Sequence, residues 1–143
     1  MAGVGQTGSE RAWRFMIVND VHERILSAPR SKIGTLLRTL ASSNDKLWPH
    51  DQWPKMEFNG PLEVGARGGH GPIAYFVEQL KPGTYIQFRF ITPNGFSGFH
   101  RFEIISQEQE KNILRHIISM KVNGAALILW CLAIHPLHNA LIE

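Results

Sequence analysis

The chain has 143 residues, of which 43% are hydrophobic and 19% charged, a composition that indicates one globular domain and excludes a chain that is disordered as a whole. Fifteen Lys and Arg against twelve Asp and Glu give a net charge of +3, and the basic residues are scattered, so we expect no nucleic-acid partner. Cys131 is the only cysteine, which excludes an intramolecular disulfide and favours a reducing compartment.

Residues 1–12 are rich in glycine and small polar residues, and they predict a mobile tail before a single domain over residues 13–143. The longest apolar run, Ala125 to Ile134, is shorter than the roughly 20 residues that a membrane-spanning helix needs. We therefore expect a cytoplasmic protein without a membrane span, with Cys131 buried inside that run.

The first element is a long strand from Arg14 to Ser27, where apolar residues mostly alternate and Asn19-Asp20 suggests a bulge. Ser27-Ala-Pro-Arg then has the composition of a helix start, with Ser27 as the capping residue. A stripe from Ile33 to Leu40 has helical spacing, and a second short helix is expected around Leu47 and Trp48.

An aromatic-rich loop is expected from Pro49 to Gly60, because Pro49, Pro54 and Asn59-Gly60 oppose regular structure. Five further strand-like runs follow, separated by turn-forming residues, and short connections between consecutive strands predict an antiparallel meander. These runs are Leu62–Arg67, Ile73–Leu80, Tyr85–Thr92, Ser97–Ser106 and Lys111–Val122.

After Asn123-Gly124 the pattern becomes helical and apolar on nearly every side, which predicts a long C-terminal helix enclosed by the domain. The fold class is therefore α+β. We expect a curved antiparallel sheet of about six strands, two short helices after the first strand, and the C-terminal helix packed over the sheet.

The sequence also resembles a known family in this element order and in several short stretches. They are Val21-His-Glu-Arg24, Leu47-Trp-Pro49, Gly65-Ala-Arg-Gly-Gly-His-Gly-Pro72, Gly98-Phe-His-Arg-Phe-Glu103 and the segment from His135 to Glu143. The resemblance is to the SRPBCC superfamily, in its polyketide cyclase/dehydrase-like branch, and covers roughly residue 13 to the end. It implies a helix-grip fold with an interior cavity for lipids, sterols or polyketides, but no shared catalytic motif.

Strand alternation predicts which side chains line that cavity, because the apolar face of each strand should turn inward. The expected lining residues are Phe88, Phe90, His100, Phe102, His116, Ile118, Met120 and Trp130. The opposite faces carry Arg89, Arg101, Glu103, Arg115, Ser119 and Lys121, which predict an exposed ladder of charged and polar residues.

His100 and His116 fall on the inner faces of consecutive strands, so they can be neighbours. They are candidates for anchoring a ligand oxygen or for general acid/base chemistry, with Tyr75 as a hydrogen-bond donor. The alternative is that they are core histidines bonded to the backbone or to a tyrosine such as Tyr75.

The cavity mouth is expected to carry Arg67 and His70 from the glycine-rich stretch Gly68 to Gly71, whose glycines suit a turn or close backbone approach. Trp48 and Trp53 suit either a lid or the core. The glycine spacing does not match a phosphate-binding loop, so we expect no nucleotide cofactor.

Cys131, His135 and His138 are spaced so that a zinc site is conceivable, but the surroundings are apolar and we expect no metal.

Three functions remain open. The first is binding or transport of a hydrophobic small molecule. The second is a cyclase or aromatase enzyme that uses the cavity histidines. The third is a protein-interaction domain with a filled core. The oligomeric state stays open.

Overall fold

The computed structural model describes residues 15–49, 51, 53–108 and 111–131. Seven antiparallel strands form one sheet, with a helix after the first strand and another after the last. In chain order the elements are β1 (Phe15–Leu26), α1 (Arg30–Arg38), β2 (Glu57–Phe58), β3 (Arg67–His70), β4 (Ile73–Lys81), β5 (Tyr85–Thr92), β6 (Phe96–Ser106), β7 (Asn112–Asn123) and α2 (Ala125–Leu129).

The strand order is β1-β7-β6-β5-β4-β3-β2, so the predicted meander of consecutive strands is confirmed from β4 to β7. The first strand lies at one edge, where it pairs with β7 without interruption from Phe15–Asn123 to Leu26–Asn112. The bulge expected at Asn19-Asp20 is therefore absent. One face of the sheet buries the core, and the other carries the predicted charged ladder.

Ion pairs run between neighbouring strands along this outer face. The two guanidinium nitrogens of Arg89 donate to the Glu78 carboxylate at 3.0 and 2.9 Å, and Arg115 bonds both Glu23 and Glu103. Hydrogen bonds from Arg89 are the main reason that the pKa of Glu78 is lowered. Since these groups are largely in contact with water, each pair contributes little to stability.

The sheet has seven strands instead of about six because β2 forms inside the segment expected to be a loop. Its partner β3 begins at Arg67, so the expected strand Leu62–Arg67 is instead a series of turns and bends. Glycine makes this pairing possible, since a Cβ added at Gly68 would collide with the carbonyl oxygen of Glu57. Both expected roles of these glycines occur, since Gly68 permits this close approach and Gly71, in the turn between β3 and β4, has a φ of 52°.

The second short helix expected around Leu47 and Trp48 is wrong, because residues 39–49 form turns and bends. The buried Asp45 carboxylate accepts hydrogen bonds from the backbone N–H groups of Ala41, Leu47 and Trp48. A side chain that binds these amides competes with helical hydrogen bonding. Ser27 does not cap α1 either, since the capping position is Pro29 and no side chain bonds there.

The described part of the C-terminal helix comprises α2 and the helical residues Trp130 and Cys131. It is amphipathic and not enclosed, since Ala126 and Trp130 are 3% exposed whereas Ile128 is 62% exposed. Cys131 is exposed, contrary to its expected burial, because it falls on the outer side of the helix. The remainder of the expected long helix, residues 132–143, lies outside the described residues, as does the expected tail, residues 1–12.

The lengths of the helices can be compared with the length that a membrane-spanning helix needs. None of the helices in the described part of the chain combines the length and the apolar character needed to cross a bilayer.

Candidate functional site

The inner face of the sheet brings two histidines together in the core. Residue pairing between β6 and β7 sets His100 opposite Ile118 and Phe102 opposite His116. As a result, Nε2 of His116 lies 3.3 Å from Nδ1 of His100, and the two side chains are 6% and 3% exposed. A hydrogen bond between imidazoles requires one nitrogen with a proton and one without, so the pair fixes complementary tautomers.

Aromatic rings surround this pair. His100 stacks on Phe88 with ring centroids 4.7 Å apart, and the Tyr75 ring meets it edge-on at 4.6 Å. His116 lies against Phe102 at 4.3 Å. Rings on several sides restrict both imidazoles, so their nitrogens occupy fixed positions in a largely apolar environment.

A second polar pair lies beside the first. Nδ1 of His70 is 2.9 Å from the hydroxyl of Tyr75, and both residues are buried. Burial, and after it the charge of Asp45, raises the pKa of the Tyr75 hydroxyl well above its ordinary value. The hydroxyl therefore keeps its proton at neutral pH and can donate it to His70. Tyr75 was expected to bond His100 or His116, whereas the structure places its hydroxyl against His70.

The three histidines of these two pairs line a cavity of about 30 Å³. Of the predicted lining residues, Phe90, His100, His116, Ile118 and Trp130 line it, whereas Phe88, Phe102 and Met120 are buried in the core behind it. The sequence reasoning missed Ile73 and Phe96, which also line it. Phe96 sits at the boundary of a turn and a strand, where alternation could not assign its face.

Three of the four residues expected at the cavity mouth are in the cavity wall instead. Trp48 and Trp53 are 5% and 8% exposed, and the His70 ring packs against them with centroids 4.6 and 5.2 Å away. Arg67 is exposed on β3 and does not line the cavity. The two tryptophans and His70 thus form one part of the cavity wall.

The size of the cavity constrains what it can hold as it stands. A volume of about 30 Å³ admits about two water molecules, whereas small-molecule sites typically measure about 300–1,000 Å³. A larger cavity of about 260 Å³ lies between α1 and the turn from β4 to β5, lined in part by Leu37, Leu62 and Ile86. That second cavity contains no histidine among its lining residues.

Sequence reasoning missed a third polar pair, on β1. Nε2 of His22 lies 3.0 Å from Oδ1 of Asp20, and the two side chains are 22% and 17% exposed. Both residues occupy the inner-face positions of β1, and His22 is the register partner of His116. They were missed because Ile17, Val21 and Ile25, the apolar residues that alternate in β1, point outward and are between 51% and 63% exposed.

Metal binding has no support in the part of the chain that the structure describes, where no three His, Cys, Asp or Glu side chains are grouped suitably. His135 and His138 of the conceivable zinc site lie outside the described residues, and Cys131 is exposed on α2.

Solved structures with the same fold include three of known name. The X-ray structure of norcoclaurine synthase from Thalictrum flavum is 14% identical, with a TM-score of 0.62 over 99% of this chain and 93% of that chain. CalU16 from Micromonospora echinospora is 10% identical, with a TM-score of 0.57 over 92% of this chain and 83% of that chain. The structure of the Aha1 dimer from Colwellia psychrerythraea is 16% identical, with a TM-score of 0.57 over 87% of this chain and 93% of that chain.

Identities this low carry information about fold alone. Norcoclaurine synthase has also been solved in complex with dopamine and hydroxybenzaldehyde, with 88% of this chain and 85% of that chain covered. No protein-family model matches this chain, and no curated protein sequence matches it.

Proposed function

We propose that this chain shares the helix-grip fold of the SRPBCC superfamily and that it binds a flat, apolar small molecule carrying an oxygen function. The observation that carries the proposal is the distribution of polarity around the small cavity. Aromatic and aliphatic side chains form most of its wall, and His70, His100 and His116 are the polar residues among those that line it. Apolar pockets with a few placed polar groups are typical of small-molecule sites.

Aromatic walls suit a planar ligand, since Trp48, Trp53 and Trp130 offer ring faces and edges for stacking. The histidines suit a carbonyl or hydroxyl, because an imidazole N–H donates and an unprotonated nitrogen accepts. The fold is also that of norcoclaurine synthase, which has been solved with two aromatic, oxygen-bearing molecules. That precedent supports the ligand class without identifying the ligand.

Binding requires the cavity to enlarge, because about 30 Å³ is too small for such a molecule. The part of the wall that would move is the one formed by Trp48 and Trp53, since neither residue belongs to the hydrogen-bonded sheet. Its displacement would join the cavity to solvent. Three tryptophans line the cavity, so their fluorescence should report occupation.

The test uses two probes of one shape, 2-tetralone and tetralin, which differ by the ketone oxygen. We expect tryptophan fluorescence to show saturable binding of both, with 2-tetralone bound about fivefold more tightly through one net hydrogen bond. Ile118→Phe should weaken binding by filling the histidine cavity, whereas Leu62→Phe, the matched control in the second cavity, should not. Equal affinities for the two probes would contradict the role of the histidines.

A second candidate function is favoured by the small cavity volume itself, namely a protein-interaction domain with a filled core. It predicts that neither probe binds and that native mass spectra contain no non-covalent mass beyond the denatured chain. A bound aromatic or lipid-like molecule in those spectra would exclude it.

A further inference from the structure

The polar groups of the site continue beyond the cavity to the edge of the sheet. His22 on β1 and His116 on β7 are register partners on the inner face. Cβ atoms of directly opposed residues in antiparallel strands lie about 5 Å apart, which brings such side chains into reach of one another. His22 therefore extends the histidine pair by one strand.

Close contacts lie at either end of a row of four residues, and the register pairing of His22 with His116 connects the two ends. Asp20 and His22 are 3.0 Å apart at the edge, and His116 and His100 are 3.3 Å apart in the core. Exposure falls along the row, from 17% and 22% for the first two side chains to 6% and 3% for the last two residues. The row begins in contact with solvent and ends at the cavity wall.

We propose that Asp20, His22, His116 and His100 form a proton relay between solvent and a ligand in the cavity. This proposal rests on the proposed function, and it makes the site capable of general acid/base chemistry. The substrate class is a flat ketone or a related compound with an acidic C–H beside its carbonyl group.

The relay works because an imidazole can accept a proton at one ring nitrogen and release one from the other. When His100 takes a proton from the ligand carbon, the C–H electron pair stays on the ligand as an enolate. One proton then passes from His100 to His116, from there to His22, and finally through the Asp20 carboxylate to water. The ligand loses one proton and solvent gains one, and the reverse sequence reprotonates the ligand.

Asp20 and His22 are positioning residues in this scheme, since only His100 and His116 line the cavity. The Asp20 carboxylate stabilises positive charge on His22 as the proton passes. Arg24, two residues further along the same face of β1, is exposed and opposes that charge. At the far end Tyr75 and His70 lie beside His100, with the charge of Asp45 acting on Tyr75.

The first experiment needs no ligand. Nitrogen-15 NMR of histidine-labelled protein between pH 5 and 9 reads the tautomer and protonation of each imidazole. We expect Asp20→Asn to change the titration curves of His116 and His100 as well as that of His22. Glu23→Gln is the matched control on the outer face of the same strand and should leave His116 and His100 unchanged. If the titration curves of His116 and His100 are identical in the wild-type protein and in Asp20→Asn, the relay is overturned.

The second experiment measures catalysis with 2-tetralone in D₂O, following loss of the proton signal beside the carbonyl. We expect the wild-type protein to accelerate exchange at least a hundredfold over buffer, a typical contribution of a general base. Asp20→Asn should slow exchange about tenfold and alter its pH profile, with 2-tetralone affinity unchanged. Equal exchange rates in the two proteins at equal ligand occupancy overturn the relay.

The two experiments separate the two proposals. If 2-tetralone does not bind, the proposed function fails, while the NMR titration still decides whether the four groups are coupled. If it binds but the titrations show no coupling, the binding function stands and the relay fails.

Discussion

Replacing the two core histidines singly and together tests how the His100–His116 contact contributes to stability. Phenylalanine is the replacement of choice, because it keeps the ring contacts with Phe88 and Phe102 while removing the nitrogens. In each single variant the remaining imidazole stays buried but loses the partner nitrogen that faces it in the wild-type protein. An unsatisfied buried polar group costs about 1–3 kcal/mol, so we expect each single variant to lose about 2 kcal/mol.

The double variant should lose less than the sum of the two. When both nitrogens are removed, no polar atom of this contact remains without a partner. Replacing a hydrogen-bonded pair with an apolar pair of similar shape can leave the free energy of unfolding nearly unchanged. We expect a total loss of about 1–2 kcal/mol, hence a coupling free energy of about 2–3 kcal/mol. The adjacent cavity of about 30 Å³ gives the larger rings some room.

Urea unfolding of the four proteins, followed by circular dichroism, measures this coupling free energy. For a chain of this length, 1 kcal/mol corresponds to a shift of about 3 °C in Tm, which provides a second readout. Additivity within about 0.5 kcal/mol would refute the reasoning, since it would mean that the two imidazoles do not interact energetically.

Three further predictions concern the rest of the sheet. Gly98→Ala should destabilise the fold by more than about 2 kcal/mol in urea unfolding, because the new Cβ would collide with the backbone at Met120; a loss below 1 kcal/mol would contradict the close approach. Glu78 has a lowered pKa beside Arg89, so its contribution is present above the unfolded-state pKa of about 4.3 and is lost as pH falls through its folded value. Glu78→Gln should therefore narrow the difference in unfolding free energy between pH 7 and pH 3 by up to about 1 kcal/mol, and an unchanged difference would argue against the ion pair. Val21→Thr removes apolar surface from an edge strand and should reduce light scattering at high concentration, with stability within about 0.5 kcal/mol of wild type; undiminished scattering would exclude this strand as the source.

Much of the sheet could be predicted from the amino-acid sequence because its signals are local. Alternation from Tyr85 to Thr92 and the turn residues between consecutive runs define each strand by neighbours in the chain. The same alternation correctly assigned the inner face of β6 and β7, since His100 and His116 share their strands with large apolar side chains. In strands whose apolar residues are buried and whose polar residues are exposed, the face of each side chain can be predicted without knowledge of distant contacts.

Tertiary structure alone decided the features in which local preference and burial disagree. The first strand turns Ile17, Val21 and Ile25 outward, so Asp20 and His22 reach the inner face only because β1 pairs with β7 in that register. His70 enters the cavity wall because β2 and β3 pair closely through Gly68. Strand pairing joins residues far apart in the chain, and one residue's difference in register reverses the face of every side chain. For that reason the row of polar groups from the sheet edge to the cavity could be recognised only in the folded protein.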